Sequence, residues 1–173
     1  KIKSDELNKI VNKDNFKDYI LKKIPDEWSD YEVILGDEMA VNNYKLSKIL
    51  KHAKLKFLMN PELLLKKNRN IKLHFDIFHG EGYLEKAIRL LDKKDQDRFE
   101  EFVVTKTSFN RENMFFCRSK ELLNEYYKCI FKWLGRCEDV FGFNLHGYSK
   151  KRIYAFLAER FVSYWFQKNS NYI

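Results

Sequence analysis

No apolar run in this 173-residue chain approaches the roughly 18–20 residues that a membrane-spanning helix needs. Nor does a charged, then apolar, then small-residue pattern open it, as a secretion signal would. These absences predict a soluble, cytoplasmic protein. There are only three cysteines, Cys117, Cys129 and Cys137. Their odd number, and the lack of the close pairs that bind zinc, predict reduced thiols. Internal repeats and low-complexity tracts are missing. So are the motifs of nucleic-acid-binding modules, which sets aside a class of partner that charge alone would permit.

What is present is ample material for a core, with 45% apolar and 16% aromatic residues. The length fits one domain spanning 1–173. A net charge of +8 favours anionic partners. Much of it is spread over exposed pairs such as Lys22-Lys23, Lys66-Lys67 and Lys93-Lys94, as on an ordinary solvated face. The first residue is Lys1 rather than Met, as in a piece of a longer protein.

Apolar spacing predicts a helix-rich chain with a few short strands. Residues 4–24 read as one broken helix or two short ones, ended by Pro25. Tyr31–Leu35 reads as a short buried strand, and Asn43 as the cap of a helix bearing Leu46, Ile49 and Leu50. A second strand is expected at Lys56–Met59, then a helical turn from Asn60-Pro61 through Leu65. The basic run Lys66–Lys72 is the expected hinge. Helices are predicted through Leu84–Leu91 and around Phe99–Val103. Met114–Cys117 is a strand candidate. Ser119 caps a long helix that Gly135 is expected to close, and a last helix runs from about Lys150 to Lys168.

Two segments hold chemistry. In the last helix, Ile153, Leu157, Phe161 and Tyr164 share one side while Phe156, Val162 and Phe166 lie well round from them, so the helix is buried on most sides. Arg152 and Glu159 share a stripe and Arg160 borders the apolar face. Charges there must be paired, or must face a cleft. The second segment is His74-Phe75-Asp76-Ile77-Phe78-His79-Gly80-Glu81. Its imidazoles and carboxylates suit a metal site, a general base near neutral pH, or a plain turn permitted by Gly80 and Gly82. Read as a strand, it puts His74 and Asp76 on one face and His79 on the other. Helical spacing assigns Tyr126, Tyr127, Trp133, Tyr164 and Trp165 to core packing in preference to stacking on a ligand.

The strings Asn113-Met114-Phe115 and Arg152-Ile153-Tyr154-Ala155-Phe156-Leu157-Ala158-Glu159-Arg160 carry a family resemblance. Together with the Tyr- and Trp-rich helix between them, they resemble the end of a bacterial glycosyltransferase family common in capsule and lipopolysaccharide gene clusters, long known only as a domain of unknown function. Ala155 stands where that family often has Gly. Residues 74–168 form the family-like region and 1–65 match it poorly. The family's His-Tyr-Arg-Arg-Tyr-Phe-like motif is missing, and in place of an Asp-x-Asp motif there is only Asp37-Glu38.

The resemblance implies an α/β, helix-rich fold of the nucleotide-sugar glycosyltransferase (GT-A) type, of which this chain is the C-terminal part. It implies a nucleotide-sugar donor, a saccharide or lipid-linked saccharide acceptor, contact with the inner membrane, and a divalent cation, Mg or Mn, as an open question. Glu159, Glu81 and Asp76 become the base candidates. Arg152, Arg160, Arg118 and His79 become the donor-phosphate candidates, and Asn113 the sugar contact. A non-catalytic acceptor-binding or assembly domain is the alternative.

Overall fold

The computed structural model describes residues 14–44, 47, 58 and 60–173. The chain divides into two compact units, Lys1–Asp30 and Tyr31–Ile173. In the first, the described residues form two 3-10 turns, Phe16–Tyr19 and Asp26–Trp28.

Among its described residues the second unit is helix-rich with four short strands. Strand β1 (Val33–Leu35) pairs antiparallel with β4 (Phe115–Cys117), and β2 (Glu38–Ala40) pairs antiparallel with β3 (Ser108–Asn110). Backbone bonds between Val33 and Asn171, and between Leu35 and Ile173, lay the last residues along the other edge of β1. The described helices are α1 (Ile71–His79), α2 (Tyr83–Arg89), α3 (Lys93–Thr105), α4 (Lys120–Phe141), α5 (Tyr148–Lys151) and α6 (Ile153–Asn169). None is long and apolar enough to cross a membrane.

Helix α6 is the axis of the core. Every residue from Arg160 to Phe166 is buried, as a helix apolar on most sides requires. Helix α4 packs on it through Tyr126, Ile130, Trp133 and Cys137, spaced to form one stripe. The rings of Phe99, Trp133 and Phe161 meet at centroid distances of 4.8–5.8 Å, joining α3, α4 and α6. Each such buried side chain contributes about 1.5–3 kcal/mol. Trp133 also donates Nε1–H to the Ala87 carbonyl at 2.7 Å, which ties α4 to α2.

Several expectations change. The Lys66–Lys72 run is not a hinge loop: Lys66–Asn68 is a 3-10 turn, and Asn70 caps α1 by accepting from the Leu73 amide at 2.8 Å. The His74–His79 segment is helical, not extended, because Ile71, Phe75 and Phe78 form a helical stripe and that cap starts it. Gly135 does not close α4, which runs on to a Gly142 cap at φ 65°. Arg152, at φ −105° and ψ 16°, divides the last helix into α5 and α6. Asn43 ends a 3-10 turn, Val41–Asn43, while Leu46, Ile49 and Leu50 lie outside the described residues. So do residues 4–13 and the Lys56–Met59 strand, except for Leu58, which is helical. The strands at 33–35 and 115–117 stand where expected.

A cleft beside a buried arginine

Arg160 projects from α6 into the interior and is 1% exposed. A guanidinium has five N–H donors and no acceptor. Here Nη1 donates to the Phe156 carbonyl at 3.0 Å and to the Glu159 carboxylate at 2.8 Å. Nη2 lies 3.3 Å from His74 Nδ1 and 3.1 Å from His79 Nε2. The cation also stands 4.2 Å from the Phe109 ring centroid and 5.3 Å from that of Phe75, a favourable arrangement for a desolvated charge.

Because arginine only donates, the histidine nitrogens that face it must present lone pairs. Burial, Arg160 and His79 together push His74 down to about 2, and burial and Arg160 push His79 down to about 3, so both rings are neutral. The proton of His79 therefore sits on Nδ1, a buried atom with no hydrogen-bond partner. Burial also lowers Arg160, to about 10, which leaves it charged at neutral pH. Burial raises the Glu159 carboxyl, opposed chiefly by Arg160 and the Glu112 amide.

His79 stacks on Phe156 with centroids 3.8 Å apart. The same Phe156 ring lies 5.4 Å from the Arg152 guanidinium, which also hydrogen-bonds the Tyr148 hydroxyl. Around these groups opens a cleft of about 350 Å³ lined by Tyr44, His74, Phe78, His79, Tyr148, Ser149 and Phe156. This volume is at the lower end of those that hold small molecules, roughly 300–1,000 Å³. Arg152 at its rim is exposed and has no carboxylate within ion-pair distance among the described residues.

The fold thus gathers four of the expected site residues: Arg152, Arg160, Glu159 and His79. Arg152 and Glu159 do not pair with each other, since Glu159 is held by Arg160. Arg160 is too buried to meet a ligand directly and acts on the cleft through the two histidines.

The other expected residues lie elsewhere or do other work. Asp76 is buried, accepting from Lys72 Nζ at 3.0 Å and the Gly82 amide at 3.2 Å, so it fastens the α1–α2 turn. Glu81 is exposed in that turn, two residues past His79. Arg118 is exposed between β4 and α4. Asn113 donates to the Ala155 carbonyl at 3.1 Å. With Glu112 it forms a turn at φ 50° and 76° whose amide reaches Glu159, so this left-handed turn leans on α6. Of the aromatics expected in the core, Tyr126, Trp133, Tyr164 and Trp165 are buried and Tyr127 is exposed.

The sequence reading missed the meeting of His74 and His79. Five residues apart, they sit on opposite faces of a strand, whereas on α1 both reach Arg160. The helical spacing of Ile71, Phe75 and Phe78 behind Asn70 was the signal that could have shown it. Among the described residues, no group of three or more His, Cys, Asp or Glu comes together to hold a metal ion. Glu38 accepts from the Ser108 hydroxyl at 3.0 Å.

A family model described as a domain of unknown function, DUF4422, matches residues 30–170. No curated protein and no solved structure matches significantly.

Proposed function

The chain belongs to the DUF4422 family, and from that premise we propose that it is a glycosyltransferase moving a sugar from a nucleotide donor to a growing bacterial capsule or lipopolysaccharide chain. The observation that carries this reading is the cleft of about 350 Å³, whose aromatic rings and neutral imidazoles lie beside Arg152, a cation that hydrogen-bonds the lining Tyr148 and forms no ion pair among the described residues. Aromatic faces pack against the C–H face of a sugar ring, and imidazoles hydrogen-bond hydroxyls. Arg152 offers a planar fork to a phosphate oxygen.

In this reading the bond from the sugar's anomeric carbon to the phosphate oxygen breaks and one to an acceptor oxygen forms. The leaving diphosphate takes the electron pair beside Arg152. The acceptor proton passes to a carboxylate. Glu159, one helical turn past Phe156, is the first candidate because burial raises its carboxyl toward neutral pH, and Glu81 is the second. No step is routed through a divalent cation. The reading carries with it a GT-A type of fold and a cytoplasmic location.

Incubating the full chain with a panel of nucleotide sugars and saccharide acceptors tests this. Expected are donor-dependent transfer in the wild type, weaker donor binding in Arg152→Gln, and loss of turnover in Glu159→Gln. A wild type that shows neither turnover nor a donor-induced thermal shift would refute it.

A second reading, a saccharide-binding module without catalysis, is favoured by the engagement of two of the three carboxylate candidates in structural bonds, Asp76 with Lys72 and Gly82, and Glu159 with Arg160. It requires acceptor binding with no affinity for any nucleotide sugar in the same panel.

A further inference from the structure

Residues 142–152 join α4 to α6 and contain no aspartate or glutamate, while carrying Lys150, Lys151 and Arg152; the nearest acids before them are Glu138 and Asp139 in the last turn of α4. Phe143, 75% exposed, and Tyr148, 70%, stand in solvent, as does Val140, 59%, at the end of α4, while Leu145 packs against the core. The segment is nonetheless tied down. The Tyr154 hydroxyl donates to the Gly142 carbonyl at 2.5 Å, the Phe143 ring lies 5.8 Å from that of Tyr154, and the Lys151 amide donates to the Gly147 carbonyl at 3.0 Å. Gly142 and Gly147, at φ 65° and 88°, give the turns that hold it outward. Among the described residues neither Lys150 nor Lys151 forms an ion pair.

We propose that this segment is a membrane-docking tip, with Phe143, Tyr148 and Val140 entering the headgroup layer of an anionic bilayer and Lys150 and Lys151 meeting its phosphates. Apolar side chains kept in water are costly unless a second phase receives them, and aromatic rings beside cations suit the bilayer interface. An anionic lipid surface is the occupant whose charge complements a stretch with three cations and no acid. The same segment supplies Tyr148 and Ser149 to the cleft lining, and Arg152 hydrogen-bonds that Tyr148, so docking brings the cleft mouth to the headgroup plane. A lipid-linked diphosphate acceptor would present its sugar there. That last step rests on the sugar-transfer reading, whereas docking does not.

Co-sedimentation of the full chain with vesicles provides the test, using phosphatidylcholine alone and an equimolar mixture with phosphatidylglycerol. The wild type is expected on the anionic vesicles only, with binding that weakens as salt rises. K150Q/K151Q should lose about fivefold in partitioning per cation removed. F143S should lose roughly tenfold through its lost apolar contact. All three positions are exposed, so each variant should melt with the wild type. Absence of wild-type binding, equal binding to neutral vesicles, or undiminished binding by both variants overturns the proposal. So does lipid-free self-association that F143S abolishes, which makes the patch a contact between copies. Turnover on a water-soluble acceptor is followed in parallel. A wild type that shows neither turnover there nor a donor-induced thermal shift removes the sugar-transfer reading and leaves docking to be judged on the vesicles alone.

Discussion

Arg160 Nη2 lies 3.1 Å from His79 Nε2, so a guanidinium 1% exposed donates to a ring on a different helix, α1. The same side chain binds Glu159 and the Phe156 carbonyl, and it fixes the tautomers of both histidines.

Removing that cation should be among the costliest single changes. Arg160→Met leaves Glu159 without its counter-charge and two imidazoles without a donor. A loss of about 3–5 kcal/mol is expected. Arg160→Lys keeps the charge but not the fork, and should lose about 1–3 kcal/mol. Urea unfolding of both variants checks the order, and equal losses would show that charge alone matters.

Acid should destabilise the fold through the two histidines. Their folded values of about 2 and about 3 lie below the ordinary 6.5, so between those limits the unfolded chain binds more protons than the folded one. Their contribution is therefore fully present above pH 6.5 and is lost progressively as pH falls through that window. The raised Glu159 acts in the opposite sense above its ordinary 4.5, but it is common to parent and variant. His79→Gln retains an acceptor for Arg160 and removes one titrating group. Denaturant midpoints from pH 7 to pH 4 should fall less steeply in that variant.

Asp76 separates fold from chemistry. Asp76→Asn weakens the charged bond to Lys72 and the hold on the Gly82 amide, at a cost of about 1.5–3 kcal/mol. At a temperature where the variant is folded, donor and acceptor binding should match the wild type by calorimetry. A binding defect would return Asp76 to the site.

Trp133 couples α4 to α2 by one hydrogen bond as well as by packing. Trp133→Phe keeps much of the ring but removes one of two hydrogen bonds to the Ala87 carbonyl, which still accepts from the Leu90 amide at 3.0 Å, and should cost about 0.5–1.5 kcal/mol. Trp133→Ala adds a cavity and should cost about 3–5 kcal/mol. Thermal unfolding ranks the two.

Much of the fold was legible in local pattern. The α4 stripe of Tyr126, Ile130, Trp133 and Cys137, the Ser119 cap that accepts from the Leu122 amide, and the short strands at 33–35 and 115–117 all follow from spacing, cap chemistry and β-branched or aromatic runs. Gly135 misled because a glycine in a helix interior costs only about 1 kcal/mol, less than the packing of Cys137 and Phe141 returns. Ser163 gave no signal at all. Its hydroxyl accepts from the Asn110 amide at 2.7 Å, a contact 53 residues away that no local pattern encodes.

By itself the sequence determined that α6 is buried on most sides and that charges on it must be satisfied there, since apolar residues occupy most of its circumference and Arg160 borders them. Tertiary structure alone decided what satisfies them. His74 and His79 come from a helix some 80 residues away in the chain, and their approach to Arg160 depends on how α1 packs against α6. A local pattern sets which face of a helix is apolar. Which distant donor meets which acceptor is set by packing, because a buried cation is tolerable only where the fold brings its partners within about 3 Å.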